Sequence, residues 1–244
     1  MNIALVTGAS RGIGRATALE LSKSGCAVAV HYVKNRELAE ILVSEINSAN
    51  GRAISFQADL SDSRSARKLV ATVKRDLGAP NILINNAGDM TDVSVAEMSD
   101  ETWDRAIEIN LSSAFRVTHE CIPSMLENKW GRIISVSSQV AFTGSANHAH
   151  YSAAKAGLLG FTYSLAKELG PNGITVNCVL PGRISTQMIG ERSQGRMEEW
   201  LAQTPLRRLG TSEEIADAIC FLASEKASYI TGAALNVNGG LVMG

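Results

Sequence analysis

The chain has 244 residues, a length that one α/β domain can fill, and its 45% hydrophobic content excludes an intrinsically disordered protein. Its 23 basic and 24 acidic side chains give a net charge of −1, which argues against the cationic surface that nucleic acids and membranes attract. No stretch approaches the roughly 18 apolar residues of a membrane span, no basic leader segment starts the chain, and no two of the 4 cysteines have metal-site or redox-site spacing. We therefore expect a cytoplasmic protein that binds no metal, no nucleic acid and no membrane.

Short apolar runs alternate with longer amphipathic runs along the chain. The apolar runs predict parallel strands buried on both faces, at residues 3–6, 27–32, 53–56, 82–84, 133–136, 174–179 and 234–237. The amphipathic runs predict helices at residues 13–24, 36–49, 63–77, 101–110, 113–127, 151–169 and 212–223. This alternation predicts one α/β domain over residues 1–244, a doubly wound parallel sheet (Rossmann fold) with helices on both faces.

A polar segment follows the predicted sixth strand and does not fit this alternation. Residues 185–209 are rich in Arg, Glu and Gln, and they come after Pro181 and Gly182. The composition fits a solvated pair of helices. It also fits a lid, because ligands of open α/β sheets bind outside the carboxyl ends of the strands. We expect a substrate lid at about residues 185–209.

A glycine-rich turn lies between the first predicted strand and the first predicted helix, with the sequence TGASRGIG at residues 7–14. Glycines permit positive φ angles and a close approach to a pyrophosphate, and the helix N-terminus offers free N–H donors. The spacing G-x-x-x-G-x-G differs from the commoner G-x-G-x-x-G pattern. The context of strand, turn and helix predicts a dinucleotide site that includes Gly8, Ser10, Arg11, Gly12, Ile13 and Gly14.

The residues after the second predicted strand indicate which dinucleotide binds. An NAD site usually places Asp or Glu there, whereas this chain has no acid between His31 and Glu37. Arg11, Lys34 and Arg36 suit a 2′-phosphate instead, since guanidinium groups match phosphate oxygens. Lys34 and Arg36 also fit the description of solvated loop charges. The pattern favours NADP(H) over NAD(H).

Tyr151 and Lys155 are four residues apart on a predicted helix, a spacing that puts both side chains on one face. A free phenol has a pKa of about 10, and lowering it to neutral pH requires ~4 kcal/mol. A cation about 4 Å away supplies ~4 kcal/mol at an effective dielectric of about 20. Ser138, which follows a predicted strand, is placed to donate a hydrogen bond to a substrate carbonyl. Together with the glycine turn, these residues predict acid–base catalysis beside a dinucleotide.

These motifs resemble the short-chain dehydrogenase/reductase family, and the match covers essentially the whole chain. The resemblance implies reversible hydride transfer between a nicotinamide and a carbonyl or alcohol. It implies a catalytic tetrad of Asn110, Ser138, Tyr151 and Lys155, in which Asn110 at a helix break fixes a water and Lys155 also holds the nicotinamide ribose. It further implies cofactor contacts from Asp59, Leu60, Asn86, Ala87, Gly88, Tyr151, Lys155, Pro181, Gly182, Ile184 and Thr186.

Within the family the residues look most like the 3-oxoacyl-(acyl-carrier-protein) reductases of fatty acid biosynthesis. This likeness implies a 3-oxoacyl thioester linked to acyl carrier protein or coenzyme A. Other small carbonyls or alcohols (a sugar, a polyol or a cyclic ketone) form the alternative substrate class. A dinucleotide-binding regulator without turnover is a third possibility, against which the intact Ser138, Tyr151 and Lys155 argue.

Several further expectations follow from the same resemblance. Substrate contacts are expected from Ser138, Gln139, His148, Arg183 and Met188, although His148 also fits a hydrogen-bonded loop histidine. Carrier protein docks on two basic residues in these reductases. Lys129 stands at the first of these places and Asn172 at the second, which puts carrier docking in doubt. A homotetramer is expected through the helices at 113–127 and 151–169 and the segment 234–244.

Overall fold

A computed structural model describes residues 1–186 and 195–243. The strands are β1 (Ile3–Val6), β2 (Ala27–Tyr32), β3 (Arg52–Gln57), β4 (Ile82–Asn85), β5 (Gly131–Val136), β6 (Ile174–Pro181) and β7 (Ala234–Val237). The helices are α1 (Gly12–Lys23), α2 (Arg36–Ser48), α3 (Ser63–Asp76), α4 (Asp100–Ile107), α5 (Ser113–Asn128), α6 (Val140–Thr143), α7 (Ala149–Leu169), α8 (Met197–Gln203) and α9 (Ser212–Ala223).

The strands form one sheet of order β3-β2-β1-β4-β5-β6-β7, and all neighbouring pairs are parallel. The predicted α/β class and Rossmann-like parallel sheet are therefore confirmed. The chain builds outward from β1 to β3 and then returns to add β4 on the other side of β1. Between β1 and β4 the strand order reverses, and open α/β sheets bind ligands at this point.

Both faces of the sheet are covered, because successive side chains of a strand point to opposite faces. Ala4 and Val6 of β1 pack into a core with apolar residues of α1, α2 and α9. Leu5, which lies between them, packs on the other face with residues of α3, α5 and α7. Strands β2, β4, β5 and β6 are buried on both faces, as the apolar runs predicted, whereas β3 and β7 are partly exposed.

Local signals in the sequence account for several helix boundaries. Helix α3 begins after Asp62, whose carboxylate accepts hydrogen bonds from the N–H groups of Arg64 and Ser65. Helix α9 begins at a capping box in which Thr211 and Glu214 satisfy each other's backbone N–H groups. Such caps supply partners for N–H groups that have none within the helix.

The structure corrects the predicted elements in the middle of the chain. The predicted helix at 101–110 is α4, which ends at Ile107 and continues into α5 through a π-helical turn at Glu108–Ser112. Helix α6 was not predicted, because a helix of one turn shows too little periodicity. Helix α8 lies in the polar segment 185–209, for which a solvated pair of helices was one of the two interpretations. Part of the expected lid, including Met188, lies outside the described residues. None of the helices in the described ranges has the length and apolarity of a membrane span.

Candidate active site

A cavity of about 740 Å³ opens at the carboxyl ends of the strands, around the reversal between β1 and β4. It brings together most of the predicted site residues, although they come from both halves of the chain. The predicted residues that line it are Gly8, Ser10, Arg11, Gly12, Ile13, Lys34, Asp59, Leu60, Asn86, Ala87, Gly88, Ser138, Gln139, His148, Tyr151, Lys155, Pro181, Gly182, Arg183, Ile184 and Thr186. Of the other predicted residues that the structure describes, Gly14, Arg36 and Asn110 do not line it.

The glycine turn has the backbone conformation that its sequence predicts. Gly8 and Gly12 have φ angles of +64° and +55°, in the left-handed region that other residues adopt at a cost. Gly14 serves a different purpose, because a Cβ atom there would lie 2.5 Å from the Gly8 carbonyl oxygen. Helix α1 begins at Gly12, and within the described chain no side chain caps it at Arg11. Its first N–H groups therefore point toward the cavity as donors for an anion.

Thr7 and Asn86 connect the glycine turn to the end of β4. The Thr7 hydroxyl accepts hydrogen bonds from the N–H groups of Asn86 (2.9 Å) and Ala87 (3.0 Å). In return, the Asn86 amide donates to the carbonyls of Thr7 (2.9 Å) and Gly8 (3.2 Å). These bonds hold the two sides of the strand reversal in fixed relation. A ligand that spans both sides therefore meets a preformed surface.

His31, which the sequence analysis did not select, supports the same turn from the end of β2. Its Nδ1 accepts a hydrogen bond from the Gly8 N–H group at 3.0 Å, so the ring proton resides on Nε2. Nε2 in turn donates to the Ala58 carbonyl oxygen at 3.0 Å. Burial lowers the pKa of His31 to about 4, so the ring is neutral near pH 7. The sequence signal that could have identified His31 is its place as a polar residue at the carboxyl end of an apolar strand.

The corner beside β2 contains some of the basic residues that were predicted to meet a 2′-phosphate. Arg11 and Lys34 line the cavity there. Arg36 instead begins α2, and its Nε donates to the Glu40 carboxylate at 2.6 Å. Asp59 lines the same corner, and hydrogen bonds from Ser61 lower the pKa of its carboxyl group. Of the three predicted basic residues, Arg11 and Lys34 therefore line this corner.

Ser138, Tyr151 and Lys155 line the opposite part of the cavity. Ser138 follows β5, and its Oγ accepts a hydrogen bond from the Val140 N–H group at 3.3 Å, which leaves its proton to donate elsewhere. Tyr151 and Lys155 lie one turn apart on α7, with the Lys155 Nζ 5.5 Å from the centre of the phenol ring. Nζ also donates to the Val136 carbonyl at 2.8 Å. Burial lowers the pKa of Lys155 to about 8.

Asn110 lies in the π-helical turn behind Lys155. Its side-chain amide donates to the carbonyls of Asp89 (2.9 Å) and Ala106 (3.0 Å), and its Oδ1 accepts from the Asp89 N–H group. A Cβ atom on Gly88 would lie 2.8 Å from this Oδ1 and 3.4 Å from the Lys155 Nζ. Gly88 therefore permits the approach of Asn110 to the lysine. A π-helical turn stands where a helix break was expected at Asn110.

The substrate side contains predicted residues and others that were missed. His148 has both ring nitrogens engaged, one with the Ser145 hydroxyl (2.9 Å) and the other with Asp92 (2.6 Å). This pattern fits the hydrogen-bonded loop histidine, although the ring also lines the cavity. Arg196 and Trp200 line it as well. An isolated tryptophan in an otherwise polar segment was the signal for Trp200.

Comparisons with known proteins agree with this geometry. A family model described as enoyl-(acyl carrier protein) reductase matches residues 8–242. Nodulation protein G of Azospirillum brasilense is 43% identical over 239 residues, covering 98% of this chain and 97% of the relative. The chain belongs to the short-chain dehydrogenase/reductase family. The resemblance found in the sequence is thereby confirmed.

Two further members of this family carry an explicit activity in their names. The 3-oxoacyl-(acyl-carrier-protein) reductase FabG of Staphylococcus aureus is 42% identical over 240 residues, covering 98% of both chains. Its namesake from Pseudomonas aeruginosa is 42% identical over 241 residues, covering 99% of this chain and 97% of that one. The protein is a short-chain dehydrogenase/reductase and an oxidoreductase, and the family uses NAD or NADP as cofactor. The glycine turn and the uncapped start of α1 fit such a dinucleotide.

Proposed function

We propose that this enzyme uses NADPH to reduce a ketone to a secondary alcohol, and that the ketone is a 3-oxoacyl thioester. The observation that carries the proposal is the placement of Ser138, Tyr151 and Lys155 in one cavity with the glycine turn. The names of the Staphylococcus and Pseudomonas relatives support the thioester. The bound cofactor supplies the hydride, and the residues of the chain orient and polarise the carbonyl.

Two hydroxyl groups act on the carbonyl oxygen in this proposal. Ser138 donates a hydrogen bond to this oxygen. Its hydroxyl proton is available because Oγ serves as the acceptor for the Val140 N–H group. Tyr151 gives its proton to the oxygen as negative charge develops there. Donors fixed before the reaction stabilise such charge more effectively than water, since they need no reorganisation. In the reverse direction, Tyr151 accepts the proton of the alcohol and the oxidised cofactor accepts the hydride, which oxidises the alcohol to the ketone.

Lys155 assists Tyr151 through its charge. In its protonated form the buried Nζ favours the phenolate that remains after proton transfer. The Val136 carbonyl and the Ser137 hydroxyl, which donates to the Lys155 carbonyl at 2.8 Å, hold this part of α7 against β5. Lys155 also binds the ribose of the nicotinamide, and Asn110 beside Gly88 positions a water that relays protons to it. These roles follow the family resemblance.

The preference for NADP rests on the corner beside β2. Arg11 and Lys34 line the cavity there, while the Arg36 guanidinium is engaged with Glu40 outside it. We therefore assign the 2′-phosphate to Arg11 and Lys34. Lys34→Gln should raise the KM for NADPH about tenfold and leave the KM for NADH within twofold, and Arg36→Gln is the matched control. Equal effects of the two substitutions would remove the assignment.

Assembly forms a further part of the proposal. On the two helices expected to form the interfaces, Val117, Leu158 and Leu165 are buried within the chain itself. Phe115 on α5 is 53% exposed and Tyr163 on α7 is 41% exposed. Exposed aromatic residues on two neighbouring helices support a homotetramer. A cytoplasmic location is proposed from the family resemblance. Light scattering coupled to size exclusion measures the mass directly, and a monomer of 25.9 kDa would contradict the tetramer.

The experiment that tests the reaction measures initial rates of NADPH and NADH oxidation with acetoacetyl-CoA. We expect NADPH to be preferred and Tyr151→Phe to lower kcat more than 100-fold, the usual contribution of a general acid. Tyr163→Phe on the same helix is the matched control and should retain the rate. Full activity of Tyr151→Phe would refute the mechanism. Cofactor binding without thioester turnover would shift the proposal to a sugar, polyol or cyclic ketone.

A further inference from the structure

Two arginines contact one tryptophan on the substrate side of the cavity. The guanidinium carbon of Arg183 lies 5.2 Å from the centre of the Trp200 ring, and that of Arg196 lies 5.4 Å from it. Trp200 is only 7% exposed, so its ring is a fixed platform for both cations. All three residues line the cavity that contains Tyr151.

The Arg183 side chain is held in place and still has hydrogen-bond donors to offer. Its Nη1 donates to the Trp200 carbonyl at 2.8 Å, and its Nη2 donates to the Gln203 Oε1 at 2.5 Å. A guanidinium has five N–H donors, and among the described residues the others have no hydrogen-bond partner, so they can serve a ligand. Arg183 directly follows Gly182, where a Cβ atom would lie 2.8 Å from Asn238. The backbone that carries Arg183 is therefore closely packed against β7 and its following turn.

Within the described ranges, Glu199 is the one carboxylate that acts on both arginines, so the pair keeps a net positive charge. In the described chain no carboxylate lies within 4.0 Å of Arg183, and Arg196 has Glu199 at 3.9 Å. Glu199 also accepts a hydrogen bond from the Gln203 side chain at 3.0 Å. Burial lowers the pKa of Arg183, the Glu199 carboxylate raises it, and the charge of Arg196 lowers it. An anion placed between the two guanidinium groups would relieve this repulsion and gain charge-assisted hydrogen bonds.

We propose that Arg183 and Arg196, which both contact Trp200, bind an oxyanion of the ketone substrate. The site selects substrates with a carboxylate or phosphate over neutral ketones of the same shape. The inference rests on the proposed function, because it assigns the substrate of the same cavity. The oxyanion has two sources, a phosphate of the thioester carrier or a carboxylate near the ketone.

Three ketones reduced with NADPH distinguish these sources. Acetoacetyl-CoA carries phosphates, acetoacetate carries a carboxylate, and acetoacetyl-N-acetylcysteamine is neutral. We expect Arg183→Gln and Arg196→Gln each to lower kcat/KM for the anionic substrate, relative to the neutral one, by about 10-fold or more. Arg64→Gln, an equal charge change on the exposed start of α3, should leave that ratio unchanged. Arg196→Gln should leave the fold intact, because the Arg196 side chain is 60% exposed. The test therefore stands even if Arg183→Gln misfolds.

The pattern of losses decides the outcome. A loss confined to acetoacetyl-CoA identifies a phosphate, and a loss confined to acetoacetate identifies a carboxylate. Unchanged ratios for both anionic substrates overturn the inference while leaving the reductase function intact. Failure to reduce all three ketones overturns the proposed function instead. In that case quenching of tryptophan fluorescence by inorganic phosphate, present in the wild type and lost in both Arg196→Gln and Trp200→Phe, supports the anion site separately, and equal quenching in all three proteins refutes it.

Discussion

Replacing His31 tests how the glycine turn is supported. The ring accepts the Gly8 N–H group on Nδ1 and donates to Ala58 from Nε2, so it must stay neutral to keep both bonds. Protonation would place a donor opposite the Gly8 donor and a charge in a buried site. His31→Asn keeps an acceptor near the Gly8 N–H group and cannot titrate. It should lose about 1–3 kcal/mol at pH 7.5 through the lost volume and the unpaired Ala58 carbonyl.

The pH dependence gives the sharper result. The pKa of His31 is about 4 in the folded state and 6.5 in a free side chain, a difference worth about 3 kcal/mol. The unfolded chain accepts a proton in this window and the folded chain does not. The stabilising contribution is therefore complete above pH 6.5 and is lost as the pH falls to about 4. The wild type should lose about 1 kcal/mol from this residue by about pH 5.5.

Urea denaturation at pH values from about 7.5 to 4.5 measures this effect. Other groups titrate in both proteins, so their contributions cancel in the difference between the free energies of unfolding of wild type and His31→Asn. That difference should shrink by about 2–3 kcal/mol across the series. A difference that stays constant within about 0.5 kcal/mol would refute the assignment of a neutral, buried His31. Equal m-values for the two proteins are the control for unchanged cooperativity.

Three further predictions concern other parts of the structure. Gly14→Ala should abolish cofactor binding, measured by NADPH fluorescence, because the new Cβ atom would lie 2.5 Å from the Gly8 carbonyl; Gly160→Ala, at an open position, is the control. Lys155→Met should inactivate the enzyme yet stabilise the apoprotein by about 1–2 kcal/mol at neutral pH, since burial disfavours the charged lysine. The gain should fade as the pH rises from about 8 toward 10.5, where the folded lysine has already lost its proton, and a pH-independent gain would contradict this cause. Thr211→Ala should cost about 1 kcal/mol in urea denaturation through loss of the capping box, whereas Thr211→Ser should cost little.

Most of the fold was accessible from the sequence. Strands β1, β2 and β7 and helix α9 have the predicted boundaries, and the remaining predicted strands and helices are displaced by a few residues at most. Hydrophobic periodicity predicts these strands and helices because each of them buries a face made of its own apolar residues. The junction of α4 and α5 was misplaced, because the side-chain bonds of Asn110 to Asp89 and Ala106 are not visible in a local pattern.

The sequence by itself determined the strand–helix alternation, the glycine turn and the pairing of Tyr151 with Lys155, since each depends on residues close together in the chain. Only the tertiary structure decided which distant side chains share the cavity. His31 meets Gly8 because β2 and β1 pair in register. Trp200 meets Arg183 through the packing of α8 beside the end of β6. Such contacts depend on strand order and packing, which local sequence patterns do not specify.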